Sequence, residues 1–280
     1  VKRGKMNIFI TGGTGSLAKN YIKELLKKDI PGKIIVYSRN EKNQWEMKQE
    51  FDDKRIRYFL GDINNTERLN LAMREANVVI HAAALKHIDI CEYNPTEVIR
   101  TNIQGTYNVM MACIANNIKK AVFISTDKAV KPKGIYGKSK ALGEDFWLRS
   151  NHYKKIFSVC RYGNIVNSSG ALLQKLQQFK GGVFPITDEE CTRFYVNGEI
   201  IYKSILEGLD NLGLFVPEMV GYKVKDMINI FGYKTKIIGL RKNEKLHEQA
   251  YYSFQSKGNM YSNDEIMDDL EQRLKEDGYL

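Results

Sequence analysis

The amino-acid sequence predicts an α/β protein: a doubly wound parallel sheet with a smaller C-terminal lobe. Three features point there. Short apolar runs alternate with helical patterns from Asn7 to Arg161, the rhythm of repeated β-α units and therefore of parallel strands. The first run leads straight into a glycine-rich turn, Gly12-Gly13-Thr14-Gly15. A polar quartet, Ser125-Thr126-Asp127-Lys128, follows another apolar run and so stands at the carboxyl end of a strand, where open α/β sheets bind their ligands.

Taken in order, Asn7–Thr11 reads as the first strand and Leu17–Lys28 as a helix whose Ile22, Leu25 and Leu26 share an inward face. Ile34–Tyr37, Ile56–Leu60 and Val78–Ala82 are the next three strands. A long helix over Glu97–Ala115 leads to a fifth strand at Ala121–Ser125. A helix from Tyr136 to Arg149 precedes a sixth strand at Ile156–Arg161. Beyond Asn164 the pattern loosens. A helix over Ala171–Phe179 is broken by Gly181-Gly182; Phe184–Asp188 reads as a loop and Asn197–Leu209 as a helix. Short apolar pieces follow at Leu214–Val216 and Lys236–Ile238, and Asn263–Asp277 reads as an amphipathic helix with Ile266, Leu270 and Leu274 on one side. The expected organisation is a dinucleotide-binding Rossmann-type domain over 1–165, with 190–212 packing back on it, a substrate-binding lobe over 166–262, and a helical tail over 263–280.

The composition, 43% hydrophobic and 27% charged, fits a globular protein. The sequence has no apolar run of about 18 residues, so no membrane span is expected. Asn7–Ile10 is too short for the core of a signal peptide; Met6 offers an alternative start, which would leave the first five residues as a loose tail, and a cytoplasmic location is expected. Cys91, Cys113, Cys160 and Cys191 form no C-x-x-C pair and read as thiols of a reducing compartment. His81, His87, His152 and His247 lack metal-ligand spacing, so no metal is expected. The formal charge of +10 is uneven: residues 263–280 hold seven acidic and two basic side chains. No nucleic-acid-reading motif accompanies the basic body, and no nucleic-acid partner is expected; phosphorylated ligands are reason enough for a basic cleft.

The glycine turn follows a strand and opens a helix, the context that gives a dinucleotide fingerprint its meaning. Gly12 allows the tight turn, Gly15 lets backbone amides approach a pyrophosphate, and the helix N-terminus favours the anion. Ala18 stands where a third glycine often sits. After the second strand, Arg39 replaces the acidic residue that would hold a ribose 2′-hydroxyl and offers a planar fork for a 2′-phosphate, favouring NADP over NAD. Asp62 either accepts from the adenine amino group or caps the helix starting near Thr66. The small residues of His81-Ala82-Ala83-Ala84 leave room for a flat cofactor. Candidate cofactor contacts are thus Gly12, Thr14, Gly15, Ser16, Leu17, Ser38, Arg39, Asn40, Lys42, Asp62, Ile63, Ala82, Ala83, Lys86, Ser125, Tyr136 and Lys140.

Tyr136 and Lys140 are four apart and share a helix face. A phenol of ordinary pKa, about 10, is a poor base at neutral pH, and a neighbouring ammonium lowers that value. Such a pair suits hydride transfer. Asp127 and Lys128 add a second acid/base pair, which suggests oxidation coupled to a further proton-moving step. Thr126 either bonds the substrate oxygen or caps a turn.

Together these stretches resemble the extended short-chain dehydrogenase/reductases, and within them the soluble UDP-N-acetylglucosamine 4,6-dehydratases that invert C5. The resemblance runs nearly the whole length: Ile10–Leu17, Tyr37-Ser38-Arg39, His81–His87, Glu92–Pro95, Ser125–Ala129, Tyr136–Lys140, Arg161–Asn164, Pro185–Asp188, Thr192–Phe194 and Glu244–His247-Glu248. Two segments depart from it: Ser168-Ser169-Gly170 stands where the family has Ser-Arg-Gly, and Lys242-Asn243 where it has Pro-Gly. The resemblance implies that Tyr136, poised by Lys140, takes the C4 hydroxyl proton. Lys128, its charge suppressed by nearby cations, would remove the C5 proton, and Asp127 would protonate the departing C6 hydroxyl. It also implies a UDP-sugar held by Lys86, Thr126, Asn164, Arg193, Arg241 and Glu244, and a homo-oligomer. Rival functions are a nucleotide-sugar 4-epimerase, another UDP-hexose 4,6-dehydratase, or a non-catalytic NADP-binding regulator.

Overall fold

A computed structural model describes residues 6–30, 32–150, 156–166, 168–251, 254–255, 265–276, 278 and 280. The expected tail over the first five residues, His152, and the ends of the Asn263–Asp277 helix lie outside the described residues. The β-α alternation comprises β1 (Ile8–Thr11), α1 (Ser16–Lys27), β2 (Ile34–Ser38), α2 (Glu41–Glu50), β3 (Ile56–Leu60), α3 (Thr66–Met73) and β4 (Val78–His81). It continues through α4 (Ile88–Tyr93), α5 (Pro95–Val98), α6 (Gly105–Ala115), β5 (Lys120–Thr126), α7 (Ile135–Arg149) and β6 (Ile156–Tyr162). After β6 come β7 (Asn164–Ile165), α8 (Leu172–Gln178), β8 (Val183–Ile186), β9 (Thr192–Val196), α9 (Gly198–Asp210) and β10 (Gly213–Phe215).

β10, β6, β5, β4, β1, β2 and β3 lie side by side in that order, every pair parallel. The chain reverses direction across the sheet between β1 and β4, and a crevice opens there at the strands' carboxyl ends. The central strands β1 and β4 are buried throughout, because helices cover both faces and each strand can be apolar on both sides. On one face Tyr21, Ile22 and Leu25 of α1 meet Ile201, Ile205 and Leu209 of α9 in one core. On the other, Leu69 of α3, Val109 and Cys113 of α6, and Trp147 of α7 form a second. All four cysteines are buried free thiols.

The long helix expected over Glu97–Ala115 is interrupted: α5 passes into a π-helical stretch, Ile99–Gln104, before α6. The cause is tertiary. Asn102 turns inward to accept from the Leu85 N–H (2.8 Å), donate to the Leu85 carbonyl (2.9 Å) and reach the Ser139 hydroxyl (3.1 Å). It thereby ties the segment after β4 to α7. Wider helical turns of this kind are common at functional sites.

The remaining elements are β11 (Val220–Lys223), α10 (Val224–Ile230), β12 (Lys234–Ile237), β13 (Gln249–Tyr251), β14 (Phe254–Gln255) and α11 (Glu265–Glu276). β11, β9 and β7 form a small mixed sheet. The expected loop at Phe184–Asp188 is largely a strand: β8 pairs in parallel with β12 and buries Phe184 and Ile186 while Val183 and Pro185 face outward. A proline without an N–H is tolerated in such a two-stranded edge. These elements, with Leu270 and Leu274 of α11, build a third core. Among the described residues, no helix is long and apolar enough to cross a membrane.

Candidate functional site

The turn after β1 is built for close backbone approach. Gly12 has φ +63°, and a Cβ there would stand 2.8 Å from the Ala83 Cα and N. Gly15 is the N-cap of α1, no side chain caps that helix, and Gly15, Ser16 and Leu17 line the crevice, where an anion is favoured. The cleft holds about 770 Å³ and runs from this turn past Ala82–Ala84 to Ser125 and Tyr136. The sequence-predicted residues Gly12, Thr14, Gly15, Ser16, Leu17, Ser38, Arg39, Asn40, Ile63, Ala82, Ala83, Lys86, Ser125, Tyr136 and Lys140 all line it.

Lys42 and Asp62 do not. Lys42 projects outward toward Glu46 at 3.6 Å. Asp62 closes its own turn by accepting from the Asn64 backbone (2.9 Å) and side chain (3.1 Å), while its other oxygen lies 3.7 Å from Arg39. The cap of α3 is Asn65, not Asp62. Asn40 is engaged in capping α2 through Asn43. Thr11 and Thr106 hold the buried ring of His81 (2.7 and 2.9 Å), and burial, with Lys140 beyond, keeps that imidazole neutral.

At the end of β5 a short 3₁₀ turn, Asp127–Ala129, carries the second pair. Asp127 is fully buried. One carboxylate oxygen accepts from Thr126 Oγ1 (2.9 Å) and Lys128 Nζ (3.0 Å); the other has no hydrogen-bond partner among the described residues. Burial raises the Asp127 pKa above its ordinary value, against the pull of Lys128. Lys128 also donates to Asn164 Oδ1 (3.2 Å) and lies 3.5 Å from Glu248. Burial opposes the Lys128 charge, but the two carboxylates outweigh it and hold its pKa above the usual lysine range. The expectation that cations suppress the Lys128 charge is therefore corrected: its nearest charged neighbours are acids.

The Tyr136 phenol is pushed up to about 12 by burial, and the groups drawing it back are Lys128 and the Thr126 hydroxyl. Lys140 shares the helix face as expected, yet its ammonium reaches back to the Ile124 carbonyl (2.5 Å) and lies 4.0 Å over the Phe123 ring. Burial brings its pKa down to about 7. The cation acting on Tyr136 is thus Lys128. The helix carrying both Tyr136 and Lys140 is fixed at its start by Glu92, which accepts from the Ile135 N–H (2.7 Å).

A second compartment of about 550 Å³ adjoins the first, and Lys128, Tyr136, Asn164 and Arg241 line both. Arg193 and Glu244 line only the second. They face each other at 2.7 Å, and Arg193 also donates to the Thr192 and Leu246 carbonyls. Arg241 pairs with Asp89 (2.9 Å) across the mouth. The Ser168-Ser169-Gly170 segment lies against the glycine turn, with the Ser169 N–H on Ser16 Oγ (3.1 Å). Glu248 and Lys245 of this compartment were assigned no role by sequence reasoning. Their only signal was membership of the Glu244–Glu248 run.

The seven-stranded parallel sheet, the glycine turn at its switch point and the Tyr-x-x-x-Lys helix over the crevice define an extended short-chain dehydrogenase/reductase fold. The chain belongs to the polysaccharide biosynthesis protein family, whose model matches residues 8–268. It is 43% identical over 256 residues to the UDP-N-acetylglucosamine 4,6-dehydratase (inverting) of Campylobacter jejuni, covering 87% of this chain and 77% of that protein. A UDP-glucose 4-epimerase of Rickettsia akari is 34% identical, over 88% of this chain and 77% of its own. The crystal structure of Pen from Bacillus thuringiensis superposes with a TM-score of 0.89 at 27% identity, covering 99% of this chain and 100% of that one.

Proposed function

We propose that this protein is a UDP-N-acetylglucosamine 4,6-dehydratase, a hydro-lyase that inverts C5 and yields a UDP-4-keto-6-deoxy-hexosamine. The observation that carries it is the contact of the buried Asp127 with the half-buried Lys128 beside Tyr136, where the two compartments meet. The identity to the Campylobacter enzyme supports the same activity. The cradle at Gly12 and the Ser125 hydroxyl, which has no hydrogen-bond partner among the described residues, fit a nicotinamide dinucleotide, which when bound supplies a reversible hydride acceptor for the sugar. The exposed fork of Arg39 favours NADP.

As the phenolate, Tyr136 takes the C4 hydroxyl proton; Lys128 and the Thr126 hydroxyl favour that form against the upward push of burial. The C4 ketone that results acidifies C5–H. A proton passing from Lys128 to Asp127 along their 3.0 Å contact converts an ion pair into an amine and a carboxylic acid. The amine takes the C5 proton, the acid protonates the C6 oxygen, and water departs. The pair is then an ion pair again, and return of the hydride to C6 with protonation of C5 from the opposite face would complete the inverted 4-keto-6-deoxy sugar. Burial, which disfavours separated charges, assists the first transfer. Lys86, Thr126, Asn164, Arg193, Arg241 and Glu244 surround the UDP-sugar; the exposed Arg241 offers its fork to phosphate, whereas Arg193 is committed to Glu244 and the Thr192 and Leu246 carbonyls and orders that wall.

In this proposal residues 1–165, with 190–212 packed back on them, form the NADP-binding unit and 166–262 the substrate lobe, followed by the tail. The enzyme works in the cytoplasm as a homo-oligomer; Ile99, Tyr107, Met111 and Leu142 expose apolar surface on neighbouring helices, which is consistent with self-association. Incubation with UDP-N-acetylglucosamine and NADP in heavy water, followed by NMR and mass spectrometry, tests the function. Loss of one water, deuterium at C5 and inverted configuration are expected. A C4 epimer of unchanged mass would instead mark an epimerase, and tight NADP binding without turnover a regulator.

A further inference from the structure

The sequence run Glu244–Glu248 ends in a carboxylate with no part in the chemistry above. Glu248 is buried, it lines the second compartment, and its Oε1 lies 3.5 Å from Lys128 Nζ, on which Asp127 converges at 3.0 Å. Lys128 is thus held between two acids, one adjacent in the chain and one delivered from the far lobe. We propose that Glu248 is a positioning residue for the elimination, fixing the Lys128 side chain against Asp127 and setting how readily the proton moves between them. This inference rests on the dehydratase function, since only elimination uses that pair.

The charges surrounding Glu248 come from several elements. Lys128 and Asp127 are on the turn after β5, Arg193 is on β9, and Lys245, on the same run, lies 3.7 Å from Oε2. Tyr136 of α7 and Tyr222 of β11 also face Lys128, and Glu244 and Cys191 act on Arg193. Burial penalises the Glu248 charge, but Lys128, Arg193 and Lys245 outweigh that and keep it ionised. A fixed negative charge at this point favours protonation of both Lys128 and Asp127. Withdrawing it must make both give up protons more easily.

The test is the pH profile of kcat on UDP-N-acetylglucosamine with NADP for the wild type, Glu248→Gln, Glu248→Asp and Lys245→Met. In Glu248→Gln both limbs should move to lower pH by about one unit, the lower end of what a charge at this range produces, with kcat reduced about tenfold or more and KM little changed. Glu248→Asp keeps the charge and should lower kcat while leaving the limbs in place. Lys245→Met removes a positive charge, so its limbs should move the opposite way, and it decides the matter should Glu248→Gln fail to fold. A loss of kcat with unmoved limbs in Glu248→Gln and Lys245→Met would overturn the assignment. Absence of dehydrated product from the wild type would instead overturn the proposed function itself.

Discussion

Replacing Lys128 with alanine removes the cation that bridges two buried carboxylates, Asp127 at 3.0 Å and Glu248 at 3.5 Å. Breaking a fully buried ion pair from one side costs about 3–5 kcal/mol. The Lys128 side chain is 21% exposed, and water reaching the site reduces the cost to about 2–3 kcal/mol. Without the lysine, the buried Asp127 carboxyl has a folded pKa raised further above that of the unfolded chain, while Glu248 keeps Arg193 and Lys245 beside it. A group shifted in that direction contributes stability below the unfolded pKa and loses it as pH climbs through the folded value. The stability deficit of Lys128→Ala is therefore small at about pH 5 and grows toward about pH 8, by up to about 1.4 kcal/mol per pH unit while the Asp127 carboxyl still takes up a proton. Urea unfolding of wild type and variant at both pH values measures this directly. Turnover should fall about 10²- to 10⁴-fold, and deuterium uptake at C5 should fall with it. A deficit that does not change with pH, or undiminished C5 exchange, would refute the placement of Lys128 as a charged member of the elimination pair.

Gly12→Ala would force a side chain into φ +63° against the Ala83 backbone at 2.8 Å; about 2–4 kcal/mol of stability should be lost, read by urea midpoint, together with most dinucleotide affinity. Arg39→Ala should weaken NADP binding about 10- to 100-fold and leave NAD within about threefold, measured by titration calorimetry. Asn102→Ala strands the Leu85 N–H and carbonyl that it now satisfies. The cost should be about 1–3 kcal/mol, with kcat/KM falling because the segment carrying Lys86 is no longer tied to α7.

The parts legible in the sequence were those whose signals are local. Buried parallel strands such as Val78–His81 and Ala121–Ile124 announce themselves because both faces are covered and nearly every residue is apolar. The glycine turn was readable because its requirement, backbone close to backbone, leaves few residue choices. Tyr136 stood out through its spacing from Lys140, and Asp127 and Lys128 through their place after an apolar strand. The strand at Val183–Ile186 was hidden by Pro185 and by exposure on alternate residues. The break in the helix before Gly105 has no local cause; it exists for a contact with Leu85.

By itself, the sequence determined the sheet, the glycine turn and the set of acid/base side chains gathered at the end of one strand and the start of one helix, because periodicity, steric permission and side-chain chemistry belong to neighbouring residues. Tertiary structure alone decided their charge states. Folding brings Glu248 to Lys128, turns the Lys140 ammonium onto the Ile124 carbonyl and spends Arg193 on Glu244. Protonation depends on burial and on charges a few ångströms away in space, and those distances are set only when distant segments pack together.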